Sequence, residues 1–169
     1  MARLSSRAWV ARLSLITFSL FPIQSMASAQ TAEEVAVTQL AHDFMAALSS
    51  RDEAALGDLM APQAMIYSVR EGEDGPQYGV RTREDFLEGI GSGSSTFLER
   101  IWEPVVEVKG RVAMVWAPYD FHLDGEFSHC GIDLLTYLKL EDGWKLTSIT
   151  YDVVQEGCGV SPLGVPGEL

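Results

Sequence analysis

The chain has 169 residues and a formal net charge of −12, with 47% hydrophobic and 21% charged residues. This is the composition of one folded domain with a real core, and it excludes a disordered, collagenous or repeat protein. The acid excess repels phosphate backbones and anionic lipid, and Lys and Arg never gather into a basic patch, so nucleic acid is not expected as a partner.

Residues 1–29 read as a secretory signal. Arg3, Arg7 and Arg12 supply a basic start, Leu13 to Ile23 an apolar run, and Ala27-Ser28-Ala29 a small-residue cleavage site before Gln30. The run falls short of the about 20 apolar residues a spanning helix needs, so no membrane span is expected after cleavage. No Cys follows it to take lipid and no Arg pair precedes it. The remaining chain is expected to be exported, periplasmic or secreted. Residues 30–158 are expected to form a single domain, and 159–169 a Gly- and Pro-rich tail that frays. Without any Asn, N-linked glycosylation is excluded.

From Thr31 to Ser50, Val37, Leu40, Ala41, Phe44, Met45 and Leu48 recur at helical spacing and predict an amphipathic helix. Asp52 to Met60 reads as a second, short helix stopped near Pro62. Ala64 to Val69 reads as a strand running into a turn from Glu71 to Pro76. Thr82, with Asp85 three residues on, predicts the N-terminus of a third helix carrying Phe86, Leu87 and Ile90; Gly91 to Ser95 breaks it. Beyond residue 96, long strands alternate with turns at Lys109-Gly110, Asp124-Gly125 and Glu141 to Gly143, an antiparallel meander. The fold class is therefore α+β: three N-terminal helices packed on a curved antiparallel sheet.

Those turns define a register. Arg100 is expected opposite Tyr119, Tyr119 opposite Cys130, and Cys130 opposite Val154; one row lower come Trp102, Ala117, Ile132 and Asp152. Alternation adds Leu98, Val106, Val115, Phe121, Leu134, Leu138, Trp144 and Leu146 to the same face. The other face carries Glu99, Glu103, Glu107, Met114, Trp116, Asp120, His122, His129, Asp133, Leu135, Ile149 and Tyr151. Three glutamates in a row resist burial, which assigns that face to solvent and the first to the core.

Candidate sites follow from this assignment. Arg100, Trp102, Tyr119, Phe121 and Asp152 are expected to line an inward pocket, with Asp152 kept ionised by Arg100 and small Ala113 and Ala117 leaving space. The ligand would be a small hydrophobic or aromatic molecule with a polar group. A structural ion pair of Arg100 with Asp152 is the bland alternative. On the outward face Trp116, Leu135, Ile149 and Tyr151 form an apolar patch that predicts a homodimer, or else scattered surface aromatics. Glu99, Asp120, His122 and His129 line up there, but without the close spacing of metal ligands, so no metal is expected. No catalytic triad, phosphate-binding glycine loop or paired-cysteine motif occurs, and no cofactor is implied. Cys130 and Cys158 are expected to pair if the export reading holds, provided the chain folds back at Gly157; the alternative is two free thiols.

Glu99-Arg100-Ile101-Trp102-Glu103-Pro104, Tyr119 to Gly125, His129-Cys130-Gly131-Ile132-Asp133, and Gly143-Trp144-Lys145-Leu146 leading to Glu156-Gly157-Cys158, placed after three helices, resemble the nuclear-transport-factor-2-like superfamily. More narrowly they resemble its lumazine-binding and polyketide-cyclase-like branch. The resemblance covers about residues 31–158. It implies a cone of sheet closed by helices, an open-ended hydrophobic pocket and frequent dimers. It further implies a small-molecule-binding domain or, alternatively, a cofactor-independent isomerase, dehydratase, cyclase or hydrolase acting in the same pocket. Ketosteroid isomerases of this fold use an Asp base with a Tyr and a protonated acid; Tyr119 and Asp152 are expected inward, but neither matches the isomerase motif position by position.

Overall fold

The computed structural model describes residues 30–166. The expected signal, residues 1–29, lies outside the described residues.

Helix α1 (Ala32–Ser49) starts at a capping box in which Thr31 and Glu34 satisfy each other's backbone N–H groups. Its apolar stripe buries Val37, Ala41, Phe44, Met45 and Leu48. Glu33 at its first turn accepts hydrogen bonds from Lys139 Nζ at 2.6 Å and Trp144 Nε1 at 2.7 Å, which pins this end to the sheet. Asp52 caps α2 (Glu53–Leu59), which buries Leu56. β1 (Met60–Gly72) and β2 (Gly75–Thr82) then form a hairpin, so the segment expected as a long turn is mostly strand. α3 (Arg83–Ser92) begins at the Thr82/Asp85 capping box and buries Phe86, Leu87 and Ile90.

β3 (Phe97–Ile101), β4 (Val105–Lys109), β5 (Val112–Leu123), β6 (Glu126–Leu140) and β7 (Gly143–Val153) complete a seven-stranded sheet in the order β2-β1-β7-β6-β5-β3, with β4 also on β5. Every pairing is antiparallel except β1 with β7. The sheet curves without closing, and the helices lie on its concave side. The α+β class expected from the sequence is the class observed.

Three irregularities decide which side chains face the helices. Between β3 and β4, residues Trp102 to Pro104 break the strand, with Glu103 at φ 45°, so Glu99 and Glu107 end on opposite sides of the sheet. In β6 the two-residue turn at Asp124-Gly125 pairs His122 with Phe127 as expected, but the next pair is Phe121 with His129. Ser128 is therefore an extra, bulged residue. In β7 Thr147 is extra in the same way, because Tyr137 pairs with Leu146 and Thr136 with Ser148. A bulge of one residue exchanges the faces of everything beyond it. Hence Asp133, Leu135, Ile149 and Tyr151 point inward, where Ile132, Leu134 and Asp152 were expected.

Candidate functional site

A cavity of about 230 Å³ lies between α1, α3 and the concave face of the sheet. Phe44, Met45 and Leu48 line it from α1, Phe86 and Ile90 from α3, Phe97 from β3, and Ile66 and Ile149 from β1 and β7. Because its lining also includes the exposed Arg81 and Gly89, it opens to solvent between β2 and α3. Arg51, at φ 55° just after α1, secures the neighbouring loop. Its guanidinium donates to the carbonyls of Ser95 and Ile90 and lies 3.7 Å from the Phe97 ring centre.

The polar groups on the wall are Glu99 of β3, Tyr119 of β5, His129 and Asp133 of β6, Tyr151 of β7 and Arg81 of β2. Asp133 is 1% exposed, and among the described residues no N–H or hydroxyl donates to its Oδ2. Burial pushes Glu99 well above the usual carboxylate range, and the Asp133 charge and hydrogen bond beside it push the same way. Asp133 is pushed up to about 7, by burial and, to a smaller degree, by the charge of Asp152, while its hydrogen bond with Glu99 opposes the rise. Two carboxyls this close in a low-dielectric site cannot both ionise, so near neutrality they share a proton. His129 is lowered by burial and by the charge of Arg70, and its Nδ1 lies 3.0 Å from Ser128 Oγ. Its ring stacks on Phe121 at 5.0 Å and meets Tyr119 edge-on at 5.7 Å. Arg81 donates to the Tyr151 hydroxyl at 2.9 Å at the mouth.

Of the five expected pocket residues, Tyr119 and Phe121 lie on the cavity wall. Arg100, Trp102 and Asp152 do not. Arg100 is on the convex side, where it donates to both carboxylate oxygens of Asp120, Nε to Oδ1 at 2.8 Å and Nη2 to Oδ2 at 2.5 Å. Its partner is thus Asp120 and not Asp152. Burial raises the Asp120 carboxyl, but the hydrogen bonds and charge of Arg100, with smaller help from His122 and Ser161, outweigh it and hold the group below its ordinary value. Trp102 sits in the break after β3, and Asp152, turned outward by the bulge at Thr147, accepts from the Ile132 N–H at 2.6 Å.

The same irregularities dissolve the other two expected clusters. Leu135, Ile149 and Tyr151 are on the concave side, the first two buried and the third in the cavity wall, so of the expected dimer patch only Trp116 is exposed, at 46%. Glu99 and His129 face the cavity, whereas Asp120 and His122 lie beyond the sheet, so the four never converge. Cys130 and Cys158 are bonded, with Cα atoms 6.0 Å apart. The isolated bridge of Cys130 with Val154 has the expected register, and Gly157 at φ 79° supplies the turn that brings Cys158 back. The chain then crosses the convex face, where Arg100 Nη1 donates to the Gly164 carbonyl at 3.0 Å in the segment expected to fray.

Sequence reasoning missed Glu99, Asp133, His129 and Tyr151 as cavity residues because it placed all four outside. A buried acid among alternating apolar residues was the available signal, and Asp133 between Ile132 and Leu134 carries it.

Helices over a curved, unclosed sheet with a cavity between them define the cystatin-like, nuclear-transport-factor-2-like class, and solved structures of that class superimpose on the chain. One described as a putative dehydratase of this class from Streptomyces avermitilis is 18% identical, with a TM-score of 0.58 over 72% of this chain and 96% of its own. A member from Cytophaga hutchinsonii is 11% identical, with a TM-score of 0.60 over 74% and 100%. The beta subunit of a putative aromatic-ring-hydroxylating dioxygenase from Novosphingobium aromaticivorans is 13% identical, with a TM-score of 0.60 over 79% and 96%. At such identities the likeness is one of fold. Residues 32–152 match the family described as "Putative lumazine-binding", and the chain belongs to that family. No curated protein matches the sequence.

Proposed function

We propose that this chain is an exported domain that binds a small, mostly apolar or aromatic molecule in the cavity, with the polar group of that molecule at Glu99 and Asp133. The observation that carries the reading is an aromatic-lined space whose wall ends on two adjoining acids, Glu99 and the buried Asp133, with no N–H or hydroxyl donor at Asp133 Oδ2 among the described residues. The family description and the Cys130–Cys158 bond, which suits an oxidising compartment, support it. Native mass spectrometry of the purified protein tests it through a retained small molecule. Gly89 lines the mouth and has open space around its Cβ position, so Gly89→Trp should block entry and abolish retention without lowering the melting temperature by more than about 2 °C. Equal retention by that variant defeats the reading.

A second reading, a cofactor-independent enzyme of isomerase, dehydratase, cyclase or hydrolase type, draws on the same carboxyl pair. An Asp held at about 7 in a cavity is suited to take and return a proton at neutral pH. Conversion of the retained molecule, lost in Asp133→Asn, would select this reading, and its recovery unchanged would select the first.

A homodimer also stays a proposal, with its surface moved. The convex row Val105, Trp116 and Leu134 crosses three adjacent strands and is where a second copy would pack. Sedimentation showing a monomer at micromolar concentration, unchanged by Trp116→Glu, would end it.

A further inference from the structure

Several polar groups on the cavity wall are already engaged. The Tyr119 hydroxyl donates to the Asp152 carbonyl at 2.7 Å, the Tyr151 hydroxyl takes the Arg81 hydrogen bond, and the Glu99 N–H donates to Ser49 Oγ at 3.0 Å. Asp133 Oδ2 is buried and takes no N–H or hydroxyl donor among the described residues, so the Asp133 carboxyl is met only by Glu99, another acid. What the pair lacks is a positively charged donor. Charge points the same way. Glu99 and Asp133 face the space with Asp120 and Asp152 close behind, whereas among the described residues Arg81 is the sole Lys or Arg on the wall, at the mouth and hydrogen-bonded to Tyr151. Arg100 is turned to the convex side and engaged by Asp120.

The apolar part of the wall is chiefly aromatic. Phe44, Phe86, Phe97 and Phe121 contribute ring faces and edges, and Tyr119 and Tyr151 stand edge-on to each other at 6.4 Å. Rings around an anionic point are the surroundings that favour a desolvated organic cation over a neutral molecule. Size sets the upper limit: a dry cavity of about 150 Å³ takes benzene, so the space here takes one ring with a short side chain.

We propose that the cavity takes a small organic cation, an amine or quaternary ammonium on an aromatic or aliphatic body, neutralised by the Glu99 and Asp133 carboxyls. The proposal deepens the small-molecule reading and rests on it. It has a consequence in protons. The pair retains a proton while the cavity is empty, so an arriving cation displaces it, and affinity rises with pH as the pair ionises. The other titratable groups around the pair do not mimic this. Tyr119 is raised by burial, away from neutrality, and His129 is lowered by burial and by the charge of Arg70, which favours its neutral form. Tyr137, deeper on β6, is raised by burial with smaller contributions from Asp133 and Asp43 of α1. α1 and α3 themselves present only apolar side chains and Gly89 to the cavity.

The test is calorimetric titration of the full exported protein with 2-phenylethylamine, benzyltrimethylammonium and the uncharged 2-phenylethanol, each at several pH values and in two buffers of different ionisation enthalpy. The expected result is that both cations bind, with affinity rising up to tenfold per pH unit between about 5.5 and 7 and a proton released to buffer. The alcohol should bind at least tenfold more weakly and without the slope. Asp133→Asn and Glu99→Gln should each weaken the cations at least tenfold while leaving the alcohol unchanged, and the slope, which either remaining carboxyl sustains, should vanish in the double variant; two single variants are used so that one failing to fold does not decide the matter. Equal binding of amine and alcohol, or no proton release, overturns the cation assignment and leaves the small-molecule reading standing. Silence from all three probes overturns the assignment too, and the retained-molecule experiment then judges the broader reading separately.

Discussion

Tyr119 reaches across Gly131 to donate its hydroxyl hydrogen to the backbone carbonyl of Asp152, joining β5 to β7 over the strand between them. Gly131 pairs directly with Tyr119, and a Cβ there would sit 2.2 Å from the Asp152 carbonyl oxygen and 2.8 Å from the Tyr119 ring. The wall of the cavity depends on this missing side chain.

Gly131→Ala should accordingly destabilise by about 1–3 kcal/mol, the cost of overpacking against backbone that cannot move aside. Tyr119→Phe keeps the ring and loses one hydrogen bond, about 1 kcal/mol. Urea denaturation of both single variants and the double variant checks the coupling. Additive losses would mean that the ring does not need the glycine.

On the convex face, Arg100 and Asp120 are 15% and 6% exposed, and the pair is bidentate. Asp120→Asn leaves the guanidinium without its counter-charge and should cost about 3 to 5 kcal/mol. Asp152→Asn, which disturbs only the bond from the Ile132 N–H, should cost about 1 kcal/mol. The Asp120 carboxyl is lowered in the folded state, so its contribution is present above the ordinary Asp range and is lost as pH falls through the folded value. The measurement is denaturant stability of both variants at pH 7 and pH 3; equal losses at pH 7 would contradict the pairing.

Helix positions were legible in the sequence because α1 and α3 carry both signals that define a helix, a capping box and a stripe at helical spacing. The turns at Asp124-Gly125 and Gly110 were legible through glycine, since their φ values of 84° and 61° are ones other residues resist, although the second is Gly110-Arg111, one residue later than expected, because Lys109 pairs with Val112. What could not be read was which residues the strands would leave out of register. Ser128 and Thr147 are ordinary strand residues, and nothing in their types marks them as the bulged ones. Yet each moves a whole set of side chains across the sheet, which carried Asp133 and Tyr151 into the cavity and Asp152 out of it. Glu99 was misplaced for a different reason. Three glutamates at even spacing were treated as one solvated row, whereas the break at Trp102 to Pro104 separates Glu99 from the others and Asp133 gives it a partner.

The Cys130–Cys158 bond closes a loop with a sequence separation of 28 and holds the chain that continues to Gly164 against Arg100. By the chain-entropy argument a loop of this length stabilises by about 3 to 4 kcal/mol. Cys158→Ser should lower stability by that order and expose Arg100 and Asp120. The checks are denaturation with and without reductant, and hydrogen exchange across residues 117–123. Unchanged exchange there would show that the covering segment stays in place without the bond.

The carboxyl pair in the cavity should leave its own mark on stability as a function of pH. Asp133 ionises near 7 when folded and near the ordinary Asp value when unfolded, so between those values the folded state binds more protons than the unfolded chain. Stability therefore falls as pH rises from about 4 through 7, opposite in sign to the effect of a salt-bridged acid such as Asp120. Asp133→Asn removes the ionisable group while keeping nearly the same shape, and its amide N–H can donate to the neighbouring Glu99 carboxyl. It should flatten that part of the profile and stabilise the protein at pH 8 by on the order of 3 kcal/mol, with little change at pH 4.5. Thermal and urea unfolding of both proteins across pH 4.5 to 8.5 provide the comparison. A wild-type stability that rises through neutrality, or an Asn variant weaker at pH 8, would mean that Asp133 is ionised and paired in the folded protein.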